Sequence, residues 1–372
     1  MAVQGDPPAI EPAAPQTDTT RQPPDGIGQP DGIGQPVAET DPSQPTSWPA
    51  VSIVVPVFDL VAARSVVANL LREPYPGQFE ILLAAPGGVP KLDAELDRIA
   101  AVDERVDVVH ARGSSLAALV NAAAFAAQYP ILSKMVPDST DWIRLLRRAV
   151  IAMEATGADV VGGSAVAVGL GSADVAAAKA QNSRLGVGPR QSRLGAARGP
   201  ADSVRMVAIR RDAFERAGGL DETLGSVQDW ELQQRVRQAG GMVWLDPGLA
   251  VRFRPAIRTR ALAARFFHTG TWRRLVITRH RLAPSWRYLA PPLLVLWLAA
   301  CLVGGLVAGL AGIGWAWWLL AAPLLYGLGL AVAAGFAGRG LSLGQRVRLW
   351  WYVGVIHLSW GAGFLFGRVP RT

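Results

Sequence analysis

One carboxylate in this sequence stands where it could take a proton, and the residues behind it say how it is held. Gln228-Asp229-Trp230-Glu231-Leu232 opens a stretch in which Leu232, Val236 and Ala239 recur at spacings of four and three, the apolar stripe of a helix. Gln233, Gln234, Arg235 and Arg237 fall on its polar side, and Gly240-Gly241 ends it. Asp229 thus sits at a helix N-terminus, where unpaired backbone N–H groups and the positive end of the dipole keep a carboxylate ionised and in place. Such a group suits a general base, and the plain alternative is a helix cap without chemistry.

The residues downstream bear on that choice. Met242 to Leu245 reads as a short strand running into Asp246-Pro247, and Leu249 to Phe253 as another. Arg258 to Arg281 is basic and aromatic-rich, and long apolar runs follow it. A positioned carboxylate, a basic strip and a membrane region in this order resemble the family 2 glycosyltransferases, more narrowly the membrane-anchored bacterial branch that builds cell-surface polysaccharide. The resemblance is carried by Gln228 to Leu232, Arg235, Gly240-Gly241, Asp246-Pro247 and Phe266-Phe267-His268-Thr269-Gly270-Thr271-Trp272-Arg273-Arg274. The pattern Gly218-Gly219-Leu220-Asp221 ahead of the carboxylate also matches.

The resemblance implies an α/β fold: an A-type glycosyltransferase domain with a Rossmann-like, mostly parallel sheet, followed by a bundle of about three transmembrane helices. It implies a nucleotide-sugar donor, a lipid-linked or cell-envelope glycan acceptor, and a divalent cation, Mg2+ or Mn2+, on the diphosphate. Asp229 would be the base, with Trp230 and Glu231 beside the acceptor. Trp272, Arg273 and Arg274 would meet the donor, guanidinium groups being well suited to diphosphate charge. Arg184 and Arg190, in a Gly- and Arg-rich stretch with Arg193 and Arg198, would meet a lipid-linked phosphate, or form a solvated basic loop.

The elements that must position these residues come in alternation. Val51 to Val57 is a uniformly apolar strand, Val61 to Leu71 a helix, Phe79 to Ala85 a strand, Leu92 to Ala101 a helix, and Val106 to His110 a strand. Alternation of this kind gives a doubly wound sheet with its ligand at the carboxyl ends of the strands. By the resemblance, the turn Pro56-Val57-Phe58-Asp59 carries the nucleotide base, and Arg112 and Asn121 pass near the donor. Two departures stand out. Ala84-Ala85-Pro86-Gly87-Gly88 holds no carboxylate where the family binds the base, and in Ile131 to Asp141 the first metal aspartate falls on Val136, leaving Asp138 as the second. These losses keep open another reading, a catalytically degenerate glycosyltransferase-like membrane scaffold.

Composition bounds the rest. Residues 1–48 are a Pro- and Gly-rich tail in which Asp-Gly-Ile-Gly-Gln-Pro occurs twice, at 25–30 and 31–36, with too little apolar surface to fold alone. The glycosyltransferase domain takes 49–255, a basic interfacial segment 256–287, and a membrane region 288–367. The net charge of +8 does not point to nucleic acid, because no acidic residue follows Asp246 and ten arginines lie between Arg252 and Arg287, as at a cytoplasmic membrane flank. Tyr288–Gly312, Ile313–Gly338 and Leu349–Gly367 are each long enough to cross a bilayer. Arg339, Arg346 and Arg348 lie between the second and third, which predicts a multi-pass cell-membrane protein with its catalytic domain in the cytoplasm and its C-terminus outside. The single cysteine, Cys301, excludes a disulfide framework.

Overall fold

A computed structural model describes residues 45, 47–72, 75–135, 142–169, 171–187, 197–224, 227–279 and 286–368. Strands and helices alternate from the start: β1 (Val51–Pro56), α1 (Leu60–Arg72), β2 (Phe79–Pro86), α2 (Pro90–Ala100), β3 (Val106–Ala111), α3 (Leu116–Ala126), β4 (Ile131–Lys134) and α4 (Trp142–Thr156). β1 is buried along its whole length and pairs in parallel with β2 on one side and β4 on the other, which is why all its residues but Ser52 are apolar, and Ser52 donates to Glu80 of β2 at 2.5 Å. The chain continues through β5 (Val160–Gly163), β6 (Ala165–Ala167), α5 (Ser172–Asn182), α6 (Arg184–Val187), β7 (Gly199–Pro200), β8 (Arg205–Arg210), α7 (Arg211–Arg216), α8 (Gln228–Gln238), β9 (Val243–Leu245) and β10 (Val251–Phe253).

Eight strands form one sheet in the order β3-β2-β1-β4-β8-β5-β9-β7, and β6 pairs with β10 in a second. The sheet is mostly parallel, but β8 runs antiparallel to both β4 and β5. The chain enters β8 only after β6, α5, α6 and β7, and it leaves directly into α7 at the Arg210–Arg211 junction. The direction of winding changes at β1, with β2 and β3 on one flank and β4 on the other. This switch point opens a crevice at the carboxyl ends of β1 and β4. Helices α1, α2 and α4 cover one face through Val66, Leu70, Leu96, Leu146 and Met153, and α3, α7 and α8 cover the other through Leu119, Ala123, Phe214, Leu232 and Val236.

The first described residues already belong to this body. Trp48, on the tail side of the sequence boundary, packs edge-on against Tyr75 with ring centroids 5.6 Å apart, and the Tyr75 hydroxyl donates to the Pro49 carbonyl at 2.7 Å.

Beyond β10 the chain is helical: α9 (Thr259–Arg279), α10 (Trp286–Leu310), a 3-10 segment (Gly314–Leu320), α11 (Ala321–Ala337) and α12 (Leu343–Phe366). Three stretches, Tyr288–Leu310, Gly314–Ala337 and Leu343–Phe366, are long and apolar enough to cross a membrane. The third starts six residues earlier than the apolar run suggests. Ser342 caps it with its side chain on the Gln345 N–H, and Gln345 returns a bond to the Ser342 N–H at 2.9 Å, so the helix takes in Arg346 and Arg348.

Candidate functional site

Asp229 lies in the first turn of α8, and it is not the cap. The N-cap position belongs to Val227, which has φ +62° and makes no side-chain cap bond. A β-branched residue in the left-handed region is strained, and the strain sits two residues before the carboxylate.

The partners of Asp229 come from the sheet. β4 ends on Lys134, whose ammonium donates to Asp229 Oδ1, and Arg205 at the start of β8 lies 3.9 Å from Asp229 Oδ2. Lys134 is buried, while the Asp229 side chain keeps 18% of its surface in contact with solvent. Burial pushes the Asp229 carboxyl up, but the charges of Lys134 and Arg205 together with the Lys134 hydrogen bond outweigh it and hold the group below the usual carboxylate range. The result is an ionised carboxylate at the end of β4, beside the switch-point crevice, with Oδ2 less tightly engaged than Oδ1.

A rigid surround holds it there. Gln233, polar in type but fully buried, accepts from the Val204 N–H at 2.7 Å and donates to the Val204 carbonyl at 3.1 Å, locking α8 to the approach of β8. Glu231, two residues past the carboxylate, is buried and held bidentately by Arg235 at 2.6 and 2.7 Å. Arg235 also donates to the carbonyls of Gly219, at 2.7 Å, and Ala217. From the other side Asn121 donates to the Leu220 carbonyl at 2.8 Å and accepts from the Leu220 N–H at 2.7 Å. Gly218 and Gly219 both take left-handed φ values, +77° and +73°, and a Cβ on Gly219 would meet Asn121 Oδ1 at 2.8 Å. The glycine pair is therefore what lets the loop ahead of α8 pass between Asn121 and Arg235.

The remaining sequence-predicted residues fall into three groups. Pro56 ends β1 and Val57 continues it, donating to the Ala84 carbonyl at 2.8 Å; Asp59 caps α1 by accepting from the Val61 N–H at 2.9 Å. With exposed Arg112 after β3, these line the carboxyl edge of the sheet. Trp230, Trp272 and Arg273 gather below α8: the Arg273 guanidinium, itself buried, lies 3.7 Å over the Trp230 ring and 4.9 Å from the Tyr288 ring, and Trp272 packs on Leu224 and Val276. Arg274 points the other way and donates to the Leu365 carbonyl at 2.7 Å. Arg184 is exposed on α6. Asp138 and Arg190 lie outside the described residues, as do Val136 and Arg193.

Lys134, Arg205 and Gln233 escape the sequence reading. The one signal was Lys134 itself, the charged residue closing a short, otherwise uncharged strand, Ile131-Leu132-Ser133-Lys134. Buried lysines are rare without a partner.

For a divalent cation the described residues offer little. Among them no three or more His, Cys, Asp and Glu side chains gather in a way that could hold a metal, and β4 closes on Lys134 and Met135, which bring no oxygen ligand. Asp246, the other carboxylate near the end of β9, is committed elsewhere: Arg148 donates to it at 2.8 and 3.0 Å, and Arg198 lies 3.2 Å away.

No family model matches this chain. Over 214 residues it is 31% identical to the succinoglycan biosynthesis protein ExoA of Rhizobium meliloti (strain 1021), which covers 56% of this chain and 61% of that protein. The chain thus spans less than two thirds of the length of that relative. The mannosyltransferase PcManGT from Pyrobaculum calidifontis, solved in complex with GDP-Man and Mn2+, superposes with a TM-score of 0.50 at 17% identity, over 84% of this chain and 87% of that one. The fold is therefore that of a glycosyltransferase α/β domain followed by three candidate apolar helices. The coverage runs past β10, so the shared fold takes in part of the helical region.

Proposed function

We propose that this protein is a membrane-bound glycosyltransferase that moves a sugar from a nucleotide-sugar donor to a lipid-linked or cell-envelope glycan acceptor. The observation that carries the reading is the Asp229 carboxylate, held ionised by Lys134 and Arg205 at the mouth of the switch-point crevice. A relative in succinoglycan biosynthesis and a shared fold with a mannosyltransferase solved with GDP-Man support it.

The proposed reaction is a single displacement at the anomeric carbon. The acceptor hydroxyl attacks the anomeric carbon on the face opposite the diphosphate; the new C–O bond forms as the sugar–phosphate C–O bond breaks, with inversion. The hydroxyl proton goes to Asp229 Oδ2, the oxygen that Lys134 leaves open, and the nucleoside diphosphate departs with the bond pair. Pro56, Val57, Asp59 and Arg112 would meet the donor and Trp230 the acceptor, whereas Glu231, buried and paired with Arg235, does not reach the acceptor and instead braces α8. A divalent cation would fall to Asp138 and the phosphates and would supply charge neutralisation to the departing diphosphate. Charge neutralisation within reach of Asp229 comes from Lys134 and Arg205. The ten arginines ahead of the first apolar span support a cytoplasmic catalytic domain, with access to cytosolic nucleotide sugars.

A second reading, a degenerate scaffold, is favoured by Ala84-Ala85 at the end of β2, where no carboxylate is available for the base. Membranes carrying the protein, incubated with a panel of radiolabelled nucleotide sugars with and without Mn2+, separate the two. Transfer that disappears in Asp229→Asn is expected. Neither transfer nor donor binding with any sugar nucleotide would make the scaffold the function.

A further inference from the structure

The membrane region carries a relationship that apolar runs cannot show, and it concerns α12. Helix α9 is held to the α/β domain along its length. Near its start Arg265 lies 4.9 Å over the Phe253 ring and donates to Gln181 of α5 at 3.3 Å; near its end Trp272 and Val276 pack on Leu224, and Arg279 pairs with Asp221 at 2.7 Å. It also carries Arg260, Arg265, Arg273, Arg274 and Arg279, and each arginine at the centre of a bilayer costs about 3 kcal/mol. So α9 stays on the domain side of the membrane.

α12 starts against α5, and its second half runs beside α9 in the same direction. Near the start Gln345 Nε2 donates to the Ser172 carbonyl at 3.5 Å; at mid-helix the Tyr352 hydroxyl donates to the Ile257 carbonyl at 3.0 Å, just ahead of α9, and Trp351 Nε1 to Thr259 at 3.1 Å. At the finish, Thr271 donates to the Gly363 carbonyl at 3.1 Å and Arg274 to the carbonyls of Leu365 and Gly367. Between them the helices touch backbone to backbone: a Cβ on Gly270 would run into Trp360, and one on Gly363 into Phe267. Leu349, Val353 and Ile356 of α12 also share a buried cluster with Ala176, Ala177 and Ala180 of α5.

A helix tied at its start to α5, and from its middle to its end to α9, is held to one side of a bilayer and does not cross it. We infer that α12 is an interfacial helix, laid along the membrane with α9, and that only α10 and the segment Gly314–Ala337 cross. The surfaces agree. α12 buries 39% of its most apolar window against protein, whereas the two crossing segments bury 11% each. Its exposed apolar residues, Leu343, Val347, Trp351, Leu358 and Phe366, recur at helical spacing and form one stripe for acyl chains beside the spans. α11 meets its other flank, where Trp350 Nε1 donates to the Gly327 carbonyl at 2.9 Å, so the returning span comes down onto the helix that α9 holds. The chain after α12 then lies on the side of the catalytic domain, opposite to the expectation from three crossings.

Single-cysteine labelling tests this, and it reads topology whether or not the protein transfers sugar. In a Cys301→Ala background, the only native cysteine being removed, reporters are placed at Ile313→Cys, between the spans, at Gly344→Cys, where a Cβ meets nothing within 4 Å, and at Arg368→Cys. A membrane-impermeant maleimide is applied to intact and to permeabilised spheroplasts. All three must label after permeabilisation. The expected result is labelling of Ile313→Cys on intact spheroplasts, with Gly344→Cys and Arg368→Cys protected. Labelling of Arg368→Cys together with Ile313→Cys overturns the inference, as does protection of Ile313→Cys alongside both others.

Discussion

Lys134 and Asp229, 95 residues apart, form a buried ion pair that joins the last residue of β4 to the first turn of α8. The pair fixes the side chain to which the proposed reaction assigns the acceptor proton, and it decides which of its oxygens is open. It also sets the charge: without Lys134, burial acting on Asp229 would meet only Arg205 at 3.9 Å.

If Asp229 is the base, Asp229→Asn keeps the shape and loses the proton acceptor. Transfer should fall by about 10²–10⁴-fold, while donor affinity, read by nucleotide titration, stays close to that of the unchanged protein. Lys134→Met asks about charge. Because Lys134 lowers the Asp229 pKa, removing it raises that pKa, so the acid limb of the pH–rate profile should move to higher pH. Lys134→Arg should restore the limb. An unmoved limb in Lys134→Met would show that another group governs it.

Asp246 supplies a stability prediction. It is buried; burial raises its pKa, while hydrogen bonds from Arg148 and the Gly248 N–H and the charges of Arg148 and Arg198 lower it further, so the net direction is down. A depressed carboxylate stabilises the fold above its unfolded pKa, near 4, and loses that contribution as pH falls through its lower folded value. Asp246→Asn should therefore flatten the acid side of the stability curve, measured by thermal unfolding across pH. Arg148→Ala should cost no more than about 3 kcal/mol at neutral pH, since Arg198 remains 3.2 Å away to share the charge.

Much of the fold is legible in the sequence because its signals are local. Val51–Pro56 and Phe79–Pro86 read as buried strands from runs that are apolar except at Ser52 and Glu80, and Gly218-Gly219 as a helix stop, since each depends on a few neighbouring residues. The site is legible only in part. Gln233 reads as a solvent-facing residue by helical phase, yet it is fully buried against Val204, because α8 packs on two faces and the second is set by a segment 29 residues away. Lys134 and Arg205 act on Asp229 across β4 and β8, an antiparallel pairing that no alternation of strand and helix announces. Arg274 shows the same limit: its type suits a diphosphate, but its partners, Leu365 and Gly367, lie 91 and 93 residues on.

Trp48 seats the first described residues on the α/β domain. Removing residues 1–44 should leave the thermal midpoint of the remainder nearly unchanged, since that stretch has few large apolar residues to bury. Trp48→Ala should not be silent. It removes the ring that packs against Tyr75 and lies 5.5 Å from the Arg147 guanidinium, and a half-buried aromatic of this kind should cost about 2 kcal/mol in chemical denaturation. Equal stability of the truncation and the point variant would show that the Trp48 ring contributes nothing to the fold.

The α9–α12 contact gives the sharpest contrast between two glycines of one helix. At Gly363 a Cβ would enter the backbone of Phe267, with no flexible side-chain end to yield. Gly363→Ala must therefore push the helices apart or bend one of them, and overpacking of this sort costs about 1–3 kcal/mol. At Gly344 the same Cβ meets nothing within 4 Å, and the residue lies in the first turn of α12. There the alanine removes backbone freedom from the unfolded chain and should stabilise the helix by up to about 1 kcal/mol. Thermal unfolding in detergent micelles should move in opposite directions for the two variants. A loss at Gly344 as large as at Gly363 would mean that helix propensity and backbone contact do not account for α12, and that its position on α9 is held by something else.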